Sequence, residues 1–153
     1  MASAHYLRLE LMVTMTVKTS KQSETYILRL IIRYLLVKKI FIWRNNNGAT
    51  FDPTTRGFRR PSIGAKNGIS DILGCLQCGK ILAIEVKTPE KHRYIKKHYD
   101  ELRYGVFDPK KPSEKKRLQD QIIFIENVLR CGGHAGFASS LEDVDYILRQ
   151  API

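Results

Sequence analysis

Two chemistries sit side by side in the stretch Gly74-Cys75-Leu76-Gln77-Cys78-Gly79-Lys80-Ile81-Leu82-Ala83-Ile84-Glu85-Val86-Lys87. Its first half is a C-x-x-C, the spacing of a zinc clip or a redox pair. Its second half closes an apolar run with Glu85-Val86-Lys87, and a second carboxylate, Asp71, stands upstream. Two carboxylates, helped by a backbone carbonyl and waters, make a hard oxygen site for Mg²⁺ or Mn²⁺. Such an ion polarises a scissile phosphate and favours deprotonation of an attacking water. A lysine beside it orients that water or offsets the charge that develops on the phosphate. The competing reading of a D…ExK string is an ion pair at a strand end, with no chemistry attached.

Positioning these groups requires a hairpin. Residues 69–76 and 80–86 read as two strands turning at Gln77-Cys78-Gly79. Antiparallel strands on a short turn bring the start of one beside the end of the other, so Asp71 meets Glu85. Side chains alternate across a strand, which puts Glu85 and Lys87 on one face and Val86 on the other, in the core.

Around the hairpin, Ile27, Leu30, Ile31, Tyr34 and Leu35 recur at helical spacing and predict an amphipathic helix over 22–38, with Thr19 and Gln22 as a capping box. The β-branched and aromatic run Ile40-Phe41-Ile42-Trp43-Arg44 predicts a strand with Trp43 in the core. Residues 45–68 lack periodicity and read as a long loop. Residues 88–117 form a basic, tyrosine-rich segment, helical in part and broken at Gly105 and Asp108-Pro109. Leu118, Ile122, Ile125 and Leu129 predict a second helix ended by Gly132-Gly133. A short strand over 134–139 and a last helix over 141–148, capped by Ser140, complete an α/β order. In residues 1–19, Leu7, Leu9, Leu11, Val13, Met15 and Val17 alternate with polar residues, the pattern of a strand or of a partly ordered leader before a domain over 20–150.

At 153 residues the chain has the length of one domain, and its net charge of +11 points to a polyanion, nucleic acid first. Arg56, Arg59, Arg60 and Lys66 in the long loop, and Lys91, Arg93, Lys96 and Lys97 beyond the hairpin, are the candidate DNA contacts. No run reaches the roughly 18 apolar residues of a membrane span. No secretory signal is evident, so the expected location is the cytoplasm, with reduced thiols.

Taken together, Gly68-Ile69-Ser70-Asp71-Ile72-Leu73-Gly74, Ala83-Ile84-Glu85-Val86-Lys87-Thr88-Pro89, Gln121-Ile122-Ile123-Phe124-Ile125-Glu126-Asn127-Val128-Leu129 and Gly132-Gly133-His134-Ala135-Gly136-Phe137-Ala138 resemble the virus-type replication-repair nuclease (VRR-NUC) domain of the PD-(D/E)XK superfamily. The resemblance implies a restriction-endonuclease-like mixed β-sheet flanked by helices. It also implies Mg²⁺- or Mn²⁺-dependent DNA cleavage and, in small stand-alone members, homodimers that cut four-way (Holliday) junctions in a bacterial or viral-host cytoplasm. By position it implies that Asp71, Glu85 and the Val86 carbonyl bind metal, that Lys87 is the catalytic lysine and that Gln121 is the helix glutamine near the site. Glu24 matches an acidic position on the first helix that can face the metal; a surface salt bridge is its other reading. Ser70 departs from the proline of the superfamily name, and the segment 90–117 is longer than a compact member needs.

The C-x-x-C has a different outlet. Cys75, Cys78, Cys131 and His134 together spell a Cys3His zinc set. The alternative is that the cysteines pack in the core, and His92 and His98 have no motif and read as solvent-facing. The expected function is therefore a metal-dependent endonuclease for branched DNA, and the alternative a non-catalytic nucleic-acid-binding module with a structural zinc.

Overall fold

A serine begins the first described helix. The side chain of Ser23 accepts from the Tyr26 N–H at 3.2 Å, so it is the N-cap of α1 (Glu24–Val37) in place of Thr19, which lies outside the described residues. The computed structural model describes residues 22–45, 50–54, 56–59, 68–105 and 112–150. Ile27, Leu28, Ile31 and Leu35 are the buried stripe of α1. Lys39, at φ 57°, then turns the chain into β1 (Phe41–Arg44).

Within the stretch read as a loop the chain forms a small hairpin of β2 (Thr50–Asp52) and β3 (Gly57–Arg59), with Phe51 opposite Phe58. Three-residue strands are too short to show an alternation, which is why the pattern is silent there. The main hairpin follows as β4 (Ile72–Cys75) and β5 (Ile81–Val86). The segment after it is α2 (Pro89–Lys97), α3 (Tyr99–Arg103) and α4 (Pro112–Arg130), more helical than its composition suggests. The chain ends in β6 (His134–Ala138) and α5 (Leu141–Leu148), capped by Ser140 as expected.

β1, β4, β5 and β6 lie in that order in one open sheet, antiparallel except for the parallel pair β5 and β6. Parallel neighbours need a long crossover, which α2 to α4 supply. On one face, α1 and α5 enclose Ile72, Leu82, Ile84 and Val86 together with Ile31, Leu35, Val144 and Ile147. On the other, Ile125 and Val128 of α4 pack over Ala83 and Ala135. Ile95, Leu102 and Ile122 tie α2 and α3 to α4. Burying an isoleucine or leucine side chain contributes roughly 1.5–3 kcal/mol, so both faces are firmly seated.

Trp43 is not in this core. It is 46% exposed and Phe41 is 71% exposed, because β1 is the sheet edge and, of its three apolar residues, Ile42 is the one that packs against the core. Among the described residues, no helix is long and apolar enough to cross a membrane.

Candidate active site

β4 and β5 pair with Ile72 opposite Ile84, and the next step outward sets Asp71 against Glu85. Asp71 Oδ2 accepts the Val86 N–H at 3.0 Å, which fixes one carboxylate at the end of the strand that carries the other. Alternation then works as the sequence dictates. Val86 joins the core under α1, while Glu85 and Lys87 share the opposite side and bond there, Lys87 Nζ donating to Glu85 Oε1 at 2.7 Å.

The third member arrives from the crossover. Gln121 Nε2 of α4 donates to the same Glu85 Oε1 in a short hydrogen bond. Its position is set by a close backbone approach: a Cβ on Gly68 would lie 2.3 Å from the Asp120 carbonyl carbon and 2.5 Å from the Gln121 nitrogen. Gly68 also takes φ +73°, a conformation that side chains resist. Only glycine lets the lead-in to Asp71 press against the helix turn bearing Gln121. On the other side of β4, the Asn45 N–H donates to the Asp71 carbonyl at 2.8 Å and Asn45 Nδ2 to that of Ser70 at 3.2 Å.

Glu85, Lys87 and Gln121 are 1%, 5% and 3% exposed. Burial drives the Glu85 carboxyl up to about 7, Lys87 opposes that rise, and the nearby negative charge of Asp71 adds to it. Glu85 Oε2, Gln121 Oε1 and Ser70 Oγ are buried without a hydrogen-bond partner. An unmatched buried acceptor costs about 1–3 kcal/mol, a cost that a cation or its water ligands would remove at Glu85 Oε2.

The donor chemistry fits a hard divalent ion. Asp71, Glu85 and the Val86 carbonyl offer oxygens only. Among the described residues no group of three or more His, Cys, Asp or Glu comes together; the strand register sets two carboxylates, Asp71 and Glu85, side by side. Mg²⁺ commonly takes one or two carboxylates and leaves its other positions to water and phosphate oxygens. The Glu24 carboxylate meets Lys91 Nζ at 3.3 Å, both side chains substantially exposed, which is the salt bridge of its other reading.

A cleft of about 340 Å³ opens beside the site, and Glu24, Lys87, Lys91 and Gln121 all line it. Its remaining wall includes Tyr94 and the first turns of α4, with Lys115 and Arg117. Lys115 and Arg117 were not legible as site residues, because the polar start Pro112-Ser113-Glu114-Lys115-Lys116-Arg117 shows no apolar period. The proline at the first helical position and the helix-forming residues after it were the available signal.

The predicted DNA contacts separate. Lys91 enters the cleft, and Arg93, Lys96 and Lys97 are exposed on the same helix. Arg93 Nε reaches the Pro89 carbonyl at 3.4 Å and Lys96 lies 3.8 Å from Asp143. Arg56 is exposed in the turn before β3, at φ 48°, and Arg59 ends that strand. Arg60 and Lys66 lie outside the described residues, as does the alternating segment 7–17.

Histidine 92 corrects its sequence reading. It is 6% exposed, with Nδ1 2.9 Å from Ser139 Oγ and 3.1 Å from Asp143 Oδ2, and it fastens α2 to the turn before α5. Burial lowers its tendency to protonate, against the pull of Asp143. The Cys3His set does not assemble. Cys75, Cys78 and Cys131 are exposed free thiols, not packed in the core, while His134 is buried with Nδ1 3.0 Å from the Ile147 carbonyl. Comparison of the chain with protein-family models, with curated proteins and with solved structures finds no match.

Proposed function

We propose that the protein is a divalent-metal-dependent endodeoxyribonuclease of the VRR-NUC type, with a restriction-endonuclease-like core built on the four-stranded sheet. One observation carries the reading: Glu85, buried and opposite Asp71, is gripped on one oxygen by Lys87 and Gln121 while its other oxygen has no partner. A structural ion pair has no use for two carboxylates and an unmatched buried oxygen. A metal site has use for all three.

Asp71, Glu85 and the Val86 carbonyl would hold Mg²⁺ or Mn²⁺. When bound, that ion supplies Lewis-acid activation of the phosphate and of water. Glu85 contributes as a carboxylate whose orientation is set by Lys87 and Gln121. Lys87 lines the cleft, where its ammonium can shift from Glu85 toward a phosphate oxygen and offset charge developing in the transition state. Gln121 holds Glu85 in place through its Nε2, leaving its own side-chain oxygen as an acceptor facing the same site.

The net charge of +11 supports DNA as partner, and backbone contacts with little base readout suit branched DNA such as a Holliday junction. A symmetric junction needs paired cuts, which a twofold homodimer would place on related strands. The test is incubation with labelled four-way junction, flap, single strand and linear duplex in Mg²⁺, Mn²⁺ or chelator, beside Glu85→Ala. Metal-dependent cuts lost in the variant support the nuclease, and symmetric cuts at the junction support the resolvase. Binding without cleavage under every metal returns the protein to a binding module.

A further inference from the structure

The cleft beside Glu85 is small and chemically two-sided. At about 340 Å³ it has the size of a small-ligand pocket, well short of a surface groove for a double helix. Lys87, Lys91, Lys115 and Arg117 outnumber its two carboxylates, Glu24 and Glu114. The same lining includes the apolar side chains of Tyr94, Ile95 and Leu118. Ile95 is buried and Tyr94 is 42% exposed, its ring backed by His98 with centroids 4.7 Å apart. A partly exposed aromatic ring in the lining of a basic cleft is the combination by which proteins stack an unpaired base while cations follow its backbone.

We infer that this cleft accepts one nucleotide of an unpaired DNA strand, its base against Tyr94 and its phosphate among Lys91, Lys115 and Arg117, so that the strand presented to Glu85 is single-stranded at that point. The inference rests on the nuclease reading for its meaning and narrows it: a junction, flap or frayed end is a substrate because it offers an unpaired nucleotide, and intact duplex must first extrude one. Glu24 then has a definite role. Its contact with Lys91 is between exposed groups and worth little, so a phosphate can take its place on Lys91. The carboxylate competes with the strand for the same cation.

The experiment is fluorescence anisotropy in chelator with a labelled oligothymidylate of about 12 nucleotides, within the range one small binding fold covers, and a blunt-ended, G·C-clamped duplex of equal length without loops. Wild type should bind the single strand more tightly than the duplex. Tyr94→Ala should weaken single-strand binding roughly tenfold and leave duplex binding unchanged, and Tyr94→Phe should retain it. Glu24→Gln should tighten single-strand binding, a gain that a merely misfolded variant cannot show. Equal losses on both DNAs in Tyr94→Ala, no loss on either, or a wild-type preference for duplex overturns the inference. The two readings fail separately. Tyr94-dependent binding of single strand with no cleavage in Mg²⁺ or Mn²⁺ sinks the nuclease and keeps the cleft, whereas metal-dependent cleavage indifferent to Tyr94 does the reverse.

Discussion

Replacing Glu85 by glutamine should make the metal-free protein more stable at alkaline pH. The Glu85 carboxyl stands at about 7, against 4.5 for the unperturbed group, chiefly because it is buried. Its folded value lies above its unfolded one, so the folded chain holds the proton through a window in which the unfolded chain has lost it. The associated stability is present in full below about pH 4.5 and is lost as pH rises to about 7. That displacement corresponds to about 3 kcal/mol at about 1.4 kcal/mol per pH unit. Glutamine keeps the size and an acceptor for Lys87 and Gln121 but carries no charge to desolvate. Glu85→Gln should therefore match wild type at about pH 4 and exceed it increasingly as pH rises to about 7, by up to about 3 kcal/mol, or roughly 6–12 °C in Tm for a chain of this length. Thermal melts of both proteins in chelator across that range are the assay. Taking their difference cancels the opposite contribution of His92, whose lowered protonation favours the fold above its unfolded pKa and is lost as pH falls. Parallel curves, or a wild type that gains on the variant with rising pH, would refute the claim that burial of this carboxylate is held at a cost to the fold. Added Mg²⁺ or Mn²⁺ should narrow the gap by stabilising wild type alone.

Other perturbations follow from the same geometry. Gly68→Ala forces a Cβ into the backbone at Asp120 and Gln121 and should lower stability by roughly 2–4 kcal/mol, with cleavage falling further than the melt explains; unchanged denaturant midpoints would show that the approach relaxes freely. Lys87→Met removes the cation that opposes the rise at Glu85, so cleavage should drop by about a hundredfold or more and the remaining pH profile should move to higher pH. Serine at Cys75, Cys78 and Cys131 together should leave the melt and the activity intact, and metal analysis of the wild type should find no stoichiometric zinc.

The chemical core was legible because it depends on local rules. A hairpin with a tight turn determines that Asp71 opposes Glu85, and strand alternation determines that Glu85 and Lys87 share a side. Gln121 came from the resemblance, and the geometry that brings it to Glu85 is a crossover no local pattern specifies. The cleft wall was hidden for a related reason: Lys115 and Arg117 belong to the polar first turns of α4, and Tyr94 is one aromatic among several in a basic segment. His92 misled in the opposite direction. A lone histidine next to lysines reads as surface, and only the tertiary contact with Asp143 and Ser139 explains its burial. Trp43 and the cysteines were assigned by average preference for the interior, which an edge strand and exposed turns override.

The parallel pairing of β5 with β6 also sets an order of assembly. The β4–β5 hairpin closes over a handful of residues and can form in about 1–10 μs, so Asp71 and Glu85 become neighbours early. β6 can dock on β5 only after α2 to α4 have spanned the sheet, and that long closure is entropically slow. The bond between Gln121 and Glu85, across 36 positions of sequence, is therefore expected to form after the hairpin, an order that φ-value analysis of Gln121 variants would check. Until that crossover is closed, Asp71 and Glu85 can be neighbours without the Gln121 bond that holds Glu85.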